Sequence, residues 1–180
     1  FNEGQTISYT YNSVGTFTIK VVALSGGAAS TTVTQNVTIV SPVMLPLDFE
    51  TAGQEYPFSN FDGGSVSIIN NPQKNGINTS SKVGRMIKYA GQPWGGSLST
   101  LGSAMDFSVN KFFAMKVFSP RVGAKVLLKV ENAGNGSIAF EKEVLTTVAN
   151  AWEDLAFDYR TINAANEYHN IVVIFDNGTP

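Results

Sequence analysis

Hydrophobic and polar residues alternate along most of this chain with a period of two, which places successive side chains on opposite faces of a β-strand. In the first forty residues this alternation predicts three strands, at residues 6–11, 16–24 and 31–40. Residues 12–15 (NSVG) predict a hairpin turn, and residues 25–27 (SGG) predict a break before the third strand. We expect the three strands to belong together.

Alternating segments continue through the rest of the chain and are separated by Gly, Asn and Pro. They predict strands near residues 47–50, 65–69, 83–89, 96–101, 112–118, 125–131, 137–145, 152–159 and 170–175. Regularly spaced strands without a convincing helical period predict an all-β fold of the β-sandwich type.

Prolines mark a change of organisation between the early and late strands. Pro42 and Pro46 fall within five residues and predict a stiff, extended connection. We therefore place a domain boundary near residue 43, giving one domain over residues 1–42 and another over residues 43–180.

The alternation also assigns strand faces. In the strand predicted at residues 125–131, the residues expected in the core are Val126, Leu128 and Val130. The residues expected on its opposite face are Leu127, Lys129 and Glu131. After Asn150, Leu155 and Phe157 are expected in the core. The opposite face of that strand would line a groove and carries Trp152, Asp154 and Asp158.

Composition excludes several classes of function. The net charge is −2 and 14% of residues are charged, so the chain has no basic surface suited to nucleic acid. It has no cysteine, which rules out disulfides and thiolate metal sites and fits a bacterial secreted protein. No apolar run is long enough to predict a transmembrane segment.

The residue most suggestive of function is Trp94, which stands among glycines and a proline in residues 91–96 (GQPWGG). An aromatic ring presented on a turn suits the apolar C–H face of a sugar, while nearby polar groups suit its hydroxyls. We predict glycan binding by Trp94 with Gln92, Tyr89 and Lys88. The alternative is a tryptophan wedged over the sandwich edge.

Trp152 and Asp154 are a second candidate pair for glycan contact. Because a tryptophan at the start of a strand commonly closes one end of a sandwich, we favour a structural role for Trp152 and keep ligand stacking as the alternative.

Paired carboxylates and a single histidine offer little for catalysis. Glu141 and Glu143 share one strand face, and the polar alternation around Lys142 predicts a solvated edge instead of a buried acid and base. His169, in a polar loop, is the chain's one histidine, so a catalytic triad or a zinc site cannot be built from it. We expect His169 to be exposed and the chain to be noncatalytic.

The first forty residues resemble the C-terminal half of a PKD domain, an immunoglobulin-like spacer. Residues 1–4 (FNEG) stand where that family has F-G-D-G, and ISYTY followed by GTFTIKV matches its T-Y-x-x-x-G-T-Y-T-V pattern. The resemblance implies that the natural protein begins well before Phe1.

Residues 45–180 resemble the galactose-binding-like jelly-roll modules of surface glycan-binding proteins and multimodular glycosidases of Bacteroidota. The matching segments are LPLDFE, FSNFDGGS, INTSSKVGRMIK, GQPWGG, MKVFSP, KVLLKVEN and AWEDLAFDY. The resemblance implies a noncatalytic module that binds polysaccharide, with laminarin-type β-glucan as ligand. It also implies a final strand after residue 179, which this sequence lacks, and hence a fragment that is unstable alone.

Glu50 and Asp48 are candidate ligands for a structural calcium ion, because carboxylates at a strand end suit hard cations. Similar jelly rolls place calcium there with a carboxylate from the last strand. The alternative is a pair of solvated carboxylates.

Together these observations predict part of a secreted or cell-surface protein that binds β-glucan at the outer membrane, as a lipoprotein or within a glycan-uptake complex. The first alternative is an accessory module of a secreted glycoside hydrolase. The second is an adhesin or assembly subunit in which Trp94 contacts protein.

Overall fold

The structure is a computed structural model that describes residues 6–23 and 31–180. The chain divides into two compact units, Phe1–Ser41 and Pro42–Pro180. Across the described residues there are eleven strands and no helix, which confirms the predicted all-β fold. No helix within these ranges could cross a membrane.

The first unit contains an antiparallel ribbon of β1 (Gly15–Ala23) and β2 (Thr31–Ile39). The strand predicted at residues 6–11 is wrong, and Gly15 begins a strand although it was expected in a turn. Alternation gives a segment the capacity to form a strand, but the described ladder of this unit joins β1 to β2 alone. Residues 1–4 of the PKD-like motif and the predicted break at 25–27 lie outside the described residues.

The second unit has nine strands. Their bounds are β3 (Ser59–Phe61), β4 (Gly64–Asn70), β5 (Lys82–Lys88), β6 (Gly96–Thr100), β7 (Phe112–Ser119), β8 (Lys125–Glu131), β9 (Ala139–Leu145), β10 (Ala151–Asp158) and β11 (Asn170–Phe175). Five of them form an antiparallel sheet in the order β3-β6-β11-β8-β9. Two further ladders, β7 with β10 and β4 with β5, complete the described strands.

The core lies between the five-stranded sheet and the β7–β10 ladder, so the unit is a β-sandwich. Alternate residues of β8 and β10 meet there, as predicted; the buried set includes Val126, Leu128, Val130, Leu155 and Phe157. Tyr159 is fully buried among them and its hydroxyl donates to the Leu128 carbonyl at 2.6 Å. Period-two patterning in these strands therefore identifies the core face correctly.

The outer face of the five-stranded sheet holds a second, smaller apolar cluster. Leu127, Val172 and Ile174 are buried there and pack with Phe61 and Leu98. Leu127 lies opposite the main core, as its position in the alternation predicts, yet it is only 8% exposed. Apolar residues on neighbouring strands cover one another, which a single-strand pattern does not reveal.

The strand predicted at residues 47–50 is also wrong. Phe49 has φ 60°, in the left-handed region that interrupts an extended strand. The Asp48 carboxylate accepts hydrogen bonds from the backbone N–H groups of Glu50 at 3.0 Å and Thr51 at 3.3 Å, so the segment turns. The short β3, which follows Pro57, was not predicted.

Candidate functional site

The loop that carries Trp94, residues 89–95, joins β5 to β6 and is held to the turn between β3 and β4. The backbone N–H of Tyr89 donates to the Gly63 carbonyl at 2.8 Å, and that of Gln92 donates to the Asp62 carbonyl at 3.0 Å. On its other side, Pro93 accepts a hydrogen bond from the N–H of Gly178 at 3.1 Å. The Trp94 loop is thus anchored at both of its sides.

Glycines in the Trp94 loop allow this close approach of two backbones. A Cβ atom at Gly91 or at Gly95 would lie 2.3 Å from the carbonyl oxygen of Asp62. In the sequence these glycines indicated only a turn that presents Trp94. Their contact with the neighbouring turn gives them a definite packing role as well.

The Trp94 side chain is oriented by one hydrogen bond and is otherwise open. Its indole Nε1–H donates to the Asp62 carboxylate at 2.9 Å. The residue is nevertheless 53% exposed, so the ring is fixed at one edge while much of its surface faces solvent. A bond to a carboxylate is among the stronger kinds of hydrogen bond and restricts the ring.

The three residues expected to accompany Trp94 differ in their surroundings. Tyr89 is 58% exposed and Gln92 is also exposed. Lys88 is half-buried, and its ammonium donates to the carbonyls of Pro93 at 2.6 Å and Asp176 at 3.1 Å. Burial lowers the pKa of Lys88. Lys88 therefore holds the Trp94 loop to the segment at Asp176, while Tyr89 and Gln92 are exposed elsewhere in the same loop.

Trp152 and Asp154 lie in a different layer of the sandwich from the Trp94 loop. Trp152 is half-buried, packs edge-on against Phe118 with ring centroids 5.5 Å apart, and donates from Nε1 to the Gln73 carbonyl at 2.7 Å. Asp154 is exposed and pairs with Lys116 at 3.3 Å. The structure brings these two residues together on one face but does not join them to Trp94.

The proposed calcium ligands are engaged with their own chain. Asp48 accepts hydrogen bonds from the Tyr56 hydroxyl and from the following turn, and these bonds hold its pKa well below the usual range. Glu50 accepts from the backbone N–H groups of Ser81 and, at 3.2 Å, Lys82. In the described part of the chain, no three His, Cys, Asp or Glu side chains form a group that could hold a metal ion. Calcium binding stays a prediction.

Glu141 and Glu143 are exposed on the outer side of β9. Glu143 pairs with Lys125 at 3.5 Å and accepts a hydrogen bond from Asn177 at 2.9 Å. Both carboxylates thus face solvent, whereas the general acid of a glycosidase lies in apolar, enclosed surroundings.

His169 was expected to be exposed, and this prediction is wrong because the residue is half-buried. Its backbone N–H donates to the Glu131 carbonyl at 2.9 Å, and its carbonyl accepts from Leu101 at 2.8 Å. These bonds fix the loop against two strands. Its Nδ1 is buried and has no hydrogen-bond partner among the residues that the structure describes.

Two features that bear on function were not predicted from the sequence. The first is Asp62, whose turn (residues 61–64, FDGG) was visible as a turn signal, although its bond to Trp94 was not. The second is a shallow cleft of about 550 Å³ between the segment after Asp48 and the β4–β5 ladder. It is lined by Phe49, Glu50, Thr51, Gln54, Tyr56, Ile68, Ser81 and Lys82.

No protein-family model matches the chain, and no curated protein matches it significantly. A solved structure described as a carbohydrate-binding module from the β-sandwich superfamily is similar over 96% of this chain and 72% of its own, with 13% identity and a TM-score of 0.48. This likeness is too distant to support an argument about function, which therefore depends on the site itself.

Proposed function

We propose that this chain binds polysaccharide without chemical conversion, and that Trp94 is the residue on which a sugar stacks. The observation that carries the proposal is the state of its ring, which is 53% exposed although its N–H is already bonded to Asp62. A ring already held in one orientation loses little conformational freedom when a ligand binds to it, so the entropic cost of binding is small.

Polar and aromatic neighbours in the Trp94 loop suit a sugar. Tyr89 offers a second exposed ring and a hydroxyl, and Gln92 offers an amide that both donates and accepts hydrogen bonds. A pyranose presents an apolar C–H face to a ring and hydroxyls around its rim, so these groups match it.

As ligand we propose a β-glucan of the laminarin type, bound at the bacterial cell surface or by a secreted protein. The resemblance of residues 45–180 to surface glycan-binding modules supports this choice. An open loop leaves much of a sugar chain hydrated, so we expect modest affinity per site and a gain from repeated modules. Such a module would serve within a glycan-uptake complex of the outer membrane.

The exposed, paired state of Glu143 and the exposure of Glu141 support a binding function over hydrolysis. A glycosidase needs an acid and a base on either side of the scissile bond, with one pKa raised by burial.

A screen of immobilised polysaccharides with the wild type and Trp94→Ala tests this function. We expect the variant to lose about 1–3 kcal/mol of binding free energy to β-glucan, the range for removing a large apolar contact. Leu145→Ala is a matched control, because Leu145 is a 50% exposed apolar residue on the outer side of β9. Unchanged binding by Trp94→Ala, together with a lower melting temperature, would show that Trp94 is structural.

A further inference from the structure

The chain contains three asparagine–glycine pairs, a sequence that readily loses the asparagine side-chain amide. The pairs begin at Asn75, Asn135 and Asn177. In this reaction the backbone nitrogen after the asparagine attacks the side-chain carbonyl carbon. A glycine leaves that nitrogen accessible because it has no Cβ atom. All three pairs share this local chemistry, so the fold determines which of them reacts.

Asn135 has a side-chain contact that favours the attack. Its Oδ1 accepts a hydrogen bond from the backbone N–H of Ser137 at 3.0 Å. A turn of this kind folds the side chain back over the intervening peptide, which brings the Asn135 Cγ towards the Gly136 nitrogen. Because Oδ1 becomes negative during the attack, the Ser137 N–H stabilises the developing charge as a donor of an oxyanion hole does.

This turn and a following glycine coincide at Asn135 alone among the described residues. Five asparagines there accept a hydrogen bond from the backbone N–H two positions later; they are Asn71, Asn78, Asn132, Asn135 and Asn163. The residues after the other four are Pro72, Thr79, Ala133 and Ala164. Proline has no N–H, and a Cβ atom shields the backbone nitrogen of the other three.

The other two asparagine–glycine pairs are arranged differently. The Asn177 amide donates to the Glu143 carboxylate at 2.9 Å, and the Gly178 N–H donates to the Pro93 carbonyl at 3.1 Å. Both reacting groups of that pair are therefore held in other hydrogen bonds. Asn75 is exposed, and within the described part of the chain its side chain is engaged through the Nδ2 donor, at 3.5 Å, instead of through Oδ1.

The surroundings of Asn135 leave room for a ring to close. Residues 133–137 lie in the loop between β8 and β9 and are all exposed, so water reaches them. A Cβ atom at Gly136 would meet one group within 4 Å, the Glu131 Oε2 at 3.8 Å.

We propose that Asn135 is a site of spontaneous modification, at which Asn135 and Gly136 form a succinimide that water opens to aspartate or isoaspartate. The Gly136 nitrogen loses its proton and bonds to the Asn135 Cγ, while the Cγ–Nδ2 bond breaks and ammonia leaves. Water then cleaves one of the two bonds between the ring nitrogen and a carbonyl carbon. Cleavage at Cγ gives aspartate, and cleavage at the main-chain carbonyl gives isoaspartate. Neither step needs an oxidant or a reductant, and the modification is independent of glycan binding.

The test incubates the folded full chain in mildly alkaline buffer, in which a base removes the backbone proton more readily. Peptide mapping by mass spectrometry follows the amide loss at each asparagine. We expect Asn135 to react roughly tenfold faster than Asn75 or Asn177, a modest share of what an oxyanion donor contributes in an enzyme. In concentrated urea the three asparagines should react at similar rates, because the fold no longer distinguishes them.

Two variants examine the chemistry at the pair. Asn135→Gln requires a larger ring that closes more slowly, and Gly136→Ala shields the attacking nitrogen, for which the loop has space. Both should lose the fast reaction. Gly134→Ala, in the same loop, is the matched control and should react as the wild type does.

Circular dichroism verifies that the variants fold, and the comparison of the three pairs within the wild-type chain depends on no variant. A rate at Asn135 that does not exceed the rates at Asn75 and Asn177 in the folded chain would overturn the proposal. Faster reaction of Asn135 in urea than in the folded chain would overturn it as well.

Discussion

At the scale of single residues, the two tryptophans differ in how their rings are held. Both indole N–H groups are bonded, Trp94 to the Asp62 carboxylate and Trp152 to the Gln73 carbonyl. Trp152 is also packed against Phe118, whereas Trp94 is 53% exposed. The exposed ring of Trp94 is therefore the better candidate for stacking on a sugar.

Asp158, at the end of β10 on the outward face of the β7–β10 ladder, allows a test of the local electrostatics. Its bonds from Arg160 lower its pKa from 3.8 to about 2. The folded-state pKa is depressed, so the stabilisation by the pair is present above pH 3.8 and is lost as the pH falls through about 2.

We expect a carboxyl ¹³C titration by NMR to show a midpoint for Asp158 near the lower of these pH values. In Arg160→Gln the midpoint should rise towards the ordinary value for aspartate. A midpoint in the wild type equal to that of the variant would mean that the ion pair does not form in solution.

At the scale of strands and turns, glycines determine how β4 and β6 meet. A Cβ atom at Gly64 would lie 2.3 Å from the backbone nitrogen of Gly96, closer than real Cβ contacts come. Backbone atoms cannot move aside as the end of a flexible side chain can, so a larger residue there must separate the two strands.

Gly64→Ala should therefore lower the free energy of unfolding by about 1–3 kcal/mol, the usual cost of overpacking. Gly134→Ala is the control, because a Cβ there would come no closer than 3.6 Å to another group. Urea denaturation of both variants provides the measurement. Equal stability of the two would show that the approach of β4 to β6 is looser than the structure has it.

The sequence predicts strands well where alternation and a buried face coincide. The predicted segments 125–131 and 170–175 match β8 and β11 because each contributes alternate residues to the core. Residues 6–11 alternate but belong to no ladder of the described residues, because a strand also needs a pairing partner, which local sequence does not specify. The turn at Asp48 was not predicted, because it depends on the hydrogen bonds that one carboxylate accepts from the following backbone.

At the scale of the whole molecule, the candidate binding residues fall into two places instead of one. The sequence singled out Trp94, Trp152 and Asp154 from their local settings, which carry no information about sheet order. The structure places Trp94 next to β6 of the five-stranded sheet, and it places Trp152 and Asp154 on the outward face of the β7–β10 ladder. The bond between Asp62 and Trp94 joins residues 32 positions apart, so no local pattern predicts it.

The central claim is that a sugar stacks on Trp94. The chain contains two tryptophans, so a ¹⁵N-labelled sample gives two indole N–H signals, which Trp94→Phe assigns. Titration with a short β-1,3-glucan oligosaccharide should shift the Trp94 indole signal saturably. An unchanged Trp94 signal at concentrations where other signals saturate, or no saturable change anywhere with any neutral glucan, would contradict the account.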